Sequence, residues 1–415
     1  MDGGEKGDVV TTQTDATVES KSSAREVFLV FLRLGLTSFG GPVAHLGYFR
    51  EEFVVRRKWL DERAYADLVA LCQFLPGPAS SQVGMAVGLS RAGYMGAMAA
   101  WMGFTLPSAF ALVAFAYGVA AISGLASSPW LHGLKIAAVA VVAQAVLGMM
   151  RSLAPDKERA TLAVIAAIIA LAMPTAWGQV GAIVLGGLIG LAFVRDKPST
   201  FDNVEMPLTV GRPAGTIWLL LFFALLIGLP ILSAATESKS IALADSFYRS
   251  GSLVFGGGHV VLPLLQAEVV PPGWIGNADF LAGYGAAQAV PGPLFTFAAY
   301  LGAIIGGWPI AALCLAAVFT PSFLLVAGML PFWEDLRRRA WAQSTLRGVN
   351  AAVVGLLLAA LYTPVWTSGI TSSKDFALGI AAFLALYMWN VTPWLVVALC
   401  AAVAGGLDWL ASGLF

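Results

Sequence analysis

From about Arg25 onward, apolar runs of about 17 to 25 residues alternate with short polar stretches, each run long enough to cross a hydrocarbon core of about 30 Å. That pattern predicts an all-α polytopic membrane protein. Four of the runs are interrupted in their interiors, at Gly40-Gly41-Pro42, Pro76-Gly77-Pro78, Gly256-Gly257-Gly258 and Pro291-Gly292-Pro293. Proline lacks the N–H and glycine admits conformations that other residues avoid, so these triplets predict broken or re-entrant helices. Before Arg25 the chain is polar and rich in Ser and Thr, without a basic stretch or a small-residue cleavage site, and residues 1–24 read as a disordered tail. Arg195 to Pro213 is polar and proline-bearing. With a further apolar run at about Thr216 to Ser233 it forms a linker, 196–240, between two halves, 25–195 and 241–415.

The halves repeat each other. Phe31, Arg33, Gly35, Phe39, Gly40 and Gly41 align without a gap on Phe247, Arg249, Gly251, Phe255, Gly256 and Gly257. At nearly the same offset Glu52 meets Glu268, Gln73 with Pro76, Gly77 and Pro78 meets Gln288 with Pro291, Gly292 and Pro293, Pro107-Ser108 meets Pro321-Ser322, and His132 to Lys135 meets Arg347 to Asn350. Matched loops differ in charge. Arg50 to Arg63 holds Arg50, Arg56, Arg57, Lys58 and Arg63 while Gln266 to Asp279 holds no basic residue; Arg151 to Arg159 holds Arg151, Lys157 and Arg159 while Pro364 to Asp375 holds only Lys374. In the other direction, Trp333 to Arg347 holds Arg337, Arg338, Arg339 and Arg347, and Ala121 to His132 holds neither Lys nor Arg. Basic loops stay cytoplasmic, so matched loops fall on opposite sides and the prediction is two inverted-topology repeats. The same count makes Ala64 to Ser90 enter and leave on one side, with about Gly93 to Ala120 as the crossing. The first broken segment can be re-entrant in the same way.

Composition narrows the partners. With 58% hydrophobic and 12% charged residues and a formal net charge of zero, the lipid bilayer is the one partner demanded, and nucleic acid is not expected. Cys72, Cys314 and Cys400 lie in apolar segments without metal-ligand spacing and read as packing residues; no metal or cofactor is expected. Three histidines without a nucleophile–base or metal spacing argue against an enzyme.

Helix breaks inside a membrane are tolerated where they face protein or a water-filled cavity, and half-helix N-termini there suit an anion. The substrate-site candidates are therefore the breaks themselves (Ser38, Gly40, Gly41, Pro76, Gly77, Pro78, Gly256, Gly257, Pro291, Gly292, Pro293) together with Arg33, Arg249, Gln73 and Gln288. Each side chain has a plain alternative: the arginines can snorkel to an interface, and the glutamines can cap freed backbone. Asp245 offers Arg249 an i,i+4 partner where the first half has Leu29, which leaves Arg33 as the freer cation. Proton-coupling candidates are His45, His259, Asp245, Glu52 and Glu268; for the two repeated glutamates, near loop boundaries, a solvated carboxylate is the default. Gly84 and Gly88 have the spacing that lets helices pack closely.

The FGGP and FGGG segments after an arginine, the two Gln-x-x-Pro-Gly-Pro segments and the two-half layout resemble the long-chain chromate ion transporter family, over about Arg25 to the C-terminus. The resemblance implies efflux of chromate across the cytoplasmic (inner) membrane, driven by the proton-motive force and conferring chromate resistance, with sulfate as a close analogue and a homodimer as a further candidate assembly. Rival readings are sulfate uptake or exchange and, further off, an anion channel. A potential of about 100 mV, negative inside, is worth about 2.3 kcal/mol per charge and so favours expelling a dianion by about 4.6 kcal/mol.

Overall fold

The computed structural model describes residues 22–121, 129–194 and 210–412, all helical or connecting, with no strand among them. The expected tail, save its last three residues, and residues 196–209 of the linker lie outside the described residues. Helix α1 (Ala24–Thr37) starts at Ser23, whose hydroxyl accepts from the Glu26 N–H at 3.1 Å. It buries Val27, Val30, Phe31, Leu34 and Gly35, one helical face, against the later helix α4 (Ala79–Ala121). That choice of face leaves Arg33 on the exposed side, between Leu29 and Leu36.

After a break at Ser38 to Gly40 the chain reverses into α2 (Gly41–Arg50) and a π-helical turn, Glu51–Arg56. The two ends of this hairpin meet where Arg57 binds Glu26 at 3.0 Å. A second hairpin runs through α3 (Glu62–Phe74), the Pro76-Gly77-Pro78 break and the first part of α4. Its ends meet too: the Arg91 guanidinium lies 5.3 Å over the Trp59 ring. At Ala92 and Gly93 the helix turns, and its longer part folds back so that Gly88 lies against Gly96 while Gly84 faces the Phe31 ring. The first half ends with α5 (Pro129–Leu153), α6 (Lys157–Ala172) and α7 (Ala176–Phe193).

Helix α8 (Arg212–Ala235), apolar and nearly bare of protein cover, leads to a second half built alike. There α9 (Lys239–Leu253), a 3-10 turn at Gly258–Val260 and α10 (Val261–Val269) form one hairpin. The other comprises α11 (Asn277–Ala289), the Pro291-Gly292-Pro293 break, a turn at Leu294–Thr296 and the start of α12 (Phe297–Met329). Tyr300 Oη, donating to the Asp279 carbonyl at 3.0 Å, ties the base of the latter. Helix α12 turns at Gly306 and Gly307, as α4 does at its equivalent residues. Then follow α13 (Trp333–Arg337), α14 (Ala340–Ala360), α15 (Thr367–Gly369), α16 (Ser373–Tyr387) and α17 (Pro393–Ser412).

The long parts of α4 and α12 run antiparallel: the Trp308 N–H donates to Tyr117 Oη at 2.8 Å near one end, and the Tyr94 and Phe323 rings lie 6.4 Å apart near the other. The halves also exchange helices. α5 packs on α16 and α17, and α14 packs on α6 and α7. Glycine makes both crossings close, since a Cβ at Gly133 would strike the Cys400 carbonyl and one at its equivalent, Gly348, would strike Gly186 and Gly190. One face of the bundle carries Arg57, Arg91 and the buried Asp67–Arg337 pair (2.5 Å), with Trp333 Nε1 donating to the same carboxylate at 3.2 Å. Tyr117, Asp279, Tyr300 and the His132–Asp375 pair (3.1 Å) mark the opposite face. Among the described residues six helices are long and apolar enough to cross a membrane, and the three cysteines are buried and unpaired.

Candidate functional site

The tips of the four hairpins meet inside the bundle. The Gly77 N–H donates to the Val254 carbonyl at 2.6 Å, and the Gly292 N–H donates to the Ser38 carbonyl at 2.9 Å. Because Gly77 is equivalent to Gly292 and Ser38 to Val254, the two halves make the same bond to each other reciprocally. Both donors need glycine, with φ of +126° and +96°. A Cβ at Gly77 would strike Ser322 Oγ, and one at Gly292 would come within 2.9 Å of Ser108 Oγ, so each tip faces the matching serine of the other half. A Cβ at Gly258 would lie 3.4 Å from the Pro42 ring, which brings the remaining two tips together.

Each tip is also where a helix or turn begins. The residues before them, Gly40, Gly257 and Pro293, give no side-chain cap. Uncapped N-termini carry free N–H groups and a partial positive charge. Around them stand polar atoms that are buried without a hydrogen-bond partner among the described residues: Ser38 Oγ, Ser81 Oγ, Gln82 Oε1, Thr105 Oγ1 and Ser322 Oγ, in residues no more than 3% exposed. Such orphans are rare in folded proteins, and a cluster of them marks a place where something polar is bound. His45 lies among them, 3.3 Å from Ser80 Oγ and 3.2 Å from the Ser38 carbonyl. Asn350 Oδ1, also unpartnered, lies 3.6 Å from where a Gly256 Cβ would be. Apart from His45 every one of these groups is neutral at any pH, so the site offers hydroxyls and backbone N–H groups as donors, the Gln82 and Asn350 amide oxygens as acceptors, and no fixed side-chain charge. That is chemistry for a desolvated oxyanion.

A family model for chromate transporters matches residues 25–191 and again 241–405. The chain belongs to the chromate transporter family. The two matches coincide with the two structural halves. Over 407 residues the chain is 28% identical to the chromate transport protein of Pseudomonas aeruginosa, covering 95% of each chain. It is 25% identical over 408 residues to a probable chromate transport protein of Synechococcus elongatus, covering 93% of this chain and 96% of that one. An uncharacterized transporter of Methanocaldococcus jannaschii is 28% identical over 339 residues, 81% of this chain and 83% of that one. No solved structure matches the chain. With several helices long and apolar enough to cross a membrane, this family member is a multi-pass membrane protein.

Of the residues singled out in the sequence, Ser38 and the glycines and prolines of the breaks are brought to the tips. The two arginines are not placed alike. Arg33 is exposed on α1, whereas Arg249 binds Asp245 at 2.8 Å, as the i,i+4 spacing predicts, and also Glu268 at 3.0 Å. Gln73 is exposed on α3; Gln288 is half-buried one turn beyond Tyr284, whose hydroxyl lies 2.9 Å from His259 Nδ1. The glutamates are not solvated. Glu52, 5% exposed, is held by Arg56 (2.6 Å) and Arg57 (2.7 Å), and the Glu268 side chain is 10% exposed. Charged neighbours explain the difference, since a buried carboxylate needs a partner. The sequence reading passed over Ser80, Ser81, Gln82, Thr105 and Asn350 because it searched for repeated residues. The equivalents of Ser80 to Gln82 are Phe295, Thr296 and Phe297, so their main signal is a Ser-Ser-Gln run one residue after Pro-Gly-Pro.

Proposed function

We propose that this protein exports chromate, or a closely similar tetrahedral dianion, across the cytoplasmic membrane, driven by the proton-motive force, and so confers chromate resistance. The observation that carries this reading is the meeting of the four hairpin tips, three of them uncapped helix or turn starts, with five orphaned, buried polar atoms. Family membership supplies the substrate class, through relatives described as chromate transport proteins. The halves are inverted-topology repeats, and their four hairpins are re-entrant. In support, both hairpins of the first half close on the arginine-rich face, those of the second half close on the other, and α8 crosses between them. Sliding one half against the other would then open the tips to alternate sides. A site without fixed countercharge also releases a dianion readily, and a negative-inside potential draws it outward.

The test is transport by purified protein in liposomes with chromate, sulfate and molybdate offered in turn. Chromate should exchange across the membrane and move toward the positive side when a potential is imposed. Sulfate transport with chromate excluded would replace the substrate, and movement toward the negative side would reverse the direction.

A further inference from the structure

The base of the hairpin formed by α9 and α10 holds more negative charge than it neutralises. One guanidinium, Arg249, faces two carboxylates, Asp245 on its own helix at 2.8 Å and Glu268 on the opposite arm at 3.0 Å. Their side chains are 17%, 9% and 10% exposed. Among the described residues little else there can balance them. α7 contributes the Trp177 ring, 6.0 Å from the guanidinium, and α12 has no acidic or basic side chain over its length. α8 brings Arg212, which pairs with Asp335 on the arginine-rich face, and α14 brings Arg347, next to the Gly348–Gly190 crossing at the other end of α7 from Trp177. On α9 itself Lys239 begins the helix, well before Asp245. The matched place in the first half is balanced: Glu52 is bound by two arginines, Arg56 and Arg57, and Arg57 also binds Glu26 on the opposite arm, α1.

We propose that Asp245 and Glu268 share one exchangeable proton and form the single proton-coupling site of the transport cycle. This rests on the proton-driven reading of the function. With both carboxylates ionised, Arg249 ties α10 to α9. A proton taken from water at the face opposite the arginine-rich loops neutralises Glu268, leaves Arg249 with Asp245 inside α9, and releases α10. The released helix is short and its first turn, Gly258–Val260, is part of the substrate site, so a charge change at the hairpin base moves the tip. The proton leaves to the other side when the site has turned over, and the tie re-forms. Glu52, held by two cations, serves structure only.

The experiment uses the full-length protein in liposomes clamped at zero membrane potential, with an acid lumen, chromate outside, and protein-free liposomes as baseline. Two pH units can drive about a hundredfold accumulation per coupled proton. The parent and Glu52→Gln should accumulate chromate above baseline, with lumenal alkalinisation that depends on chromate. Glu268→Gln and Asp245→Asn should only equilibrate it. Chromate counterflow at equal pH, which needs no net proton movement, should survive in both; it also shows that each variant is folded. Accumulation in Glu268→Gln and Asp245→Asn equal to the parent overturns the proposal, as does loss of counterflow in both, or a parent driven by a sodium gradient and indifferent to pH. A parent without counterflow would instead overturn the functional reading itself.

Discussion

At Gly292 a backbone turned to φ +96° and a neighbour 2.9 Å from any added Cβ act on one atom position, so Gly292→Ala meets both strain and overlap with Ser108. The cost is about 1–3 kcal/mol, small against the stability of a buried bundle but applied where the substrate must fit. Gly292→Ala should therefore purify as a folded protein and lose most chromate counterflow. Ser322→Ala makes the complementary case. Its hydroxyl has no hydrogen-bond partner among the described residues, so removing it should leave the melting temperature unchanged while weakening the chromate-induced thermal shift by about tenfold in concentration. The breaks were legible because clustered Gly and Pro triplets recur at matched places in the two halves. The hydroxyls were not, because a serine in a membrane helix is written the same way whether it packs or binds, and only burial without a partner separates the two. Arg33 was legible as a costly charge, but which face α1 would bury was decided by Phe31, Leu34 and Gly35 meeting α4.

Between elements, the strongest polar link joining the halves on the arginine-rich face is Asp67 on α3 with Arg337 and Trp333 of α13. It has no counterpart among the matched residues, since the positions equivalent to Asp67 in α11 are apolar. Removing one member of a buried pair leaves the other unpaired at a cost of about 3–5 kcal/mol. Arg337→Met should accordingly lower thermal stability far more than Arg338→Met, whose exposed pair with Glu334 is worth at most about 1 kcal/mol; melting curves in detergent compare them. Segment lengths and loop charges made the hairpins readable as elements, including the reversal within Ala64 to Ser90. The same count set the hairpin apart from a crossing that begins at about Gly93, where the helix turns; what it could not give is the pairing of Asp67 with a residue from the other half.

For the whole molecule, the reciprocal bonds at the tips and the exchange of helices between halves make the two repeats one unit, so neither half presents a complete site alone. The proposed orientation predicts that cysteines at Lys58 and Arg338, both exposed, label only from the cytoplasm, and that cysteines at Asn277 and Lys374 label only from outside. Labelling of Lys58 and Asn277 positions from one side would contradict the inverted arrangement. The repeat itself was visible in the sequence through paired motifs; the exchange was not, because the small residues that permit it, Gly133 and Gly348, are ordinary in membrane helices. The central claim is that an oxyanion is held by neutral donors at the hairpin tips and not by the exposed arginine. Calorimetric titration of chromate into purified protein tests it most directly, comparing the parent with Arg33→Gln and with the double variant Ser81→Ala, Ser322→Ala. The account predicts that the double variant binds at least about tenfold more weakly while Arg33→Gln binds like the parent; abolished binding in Arg33→Gln with parent-like binding in the double variant would contradict it.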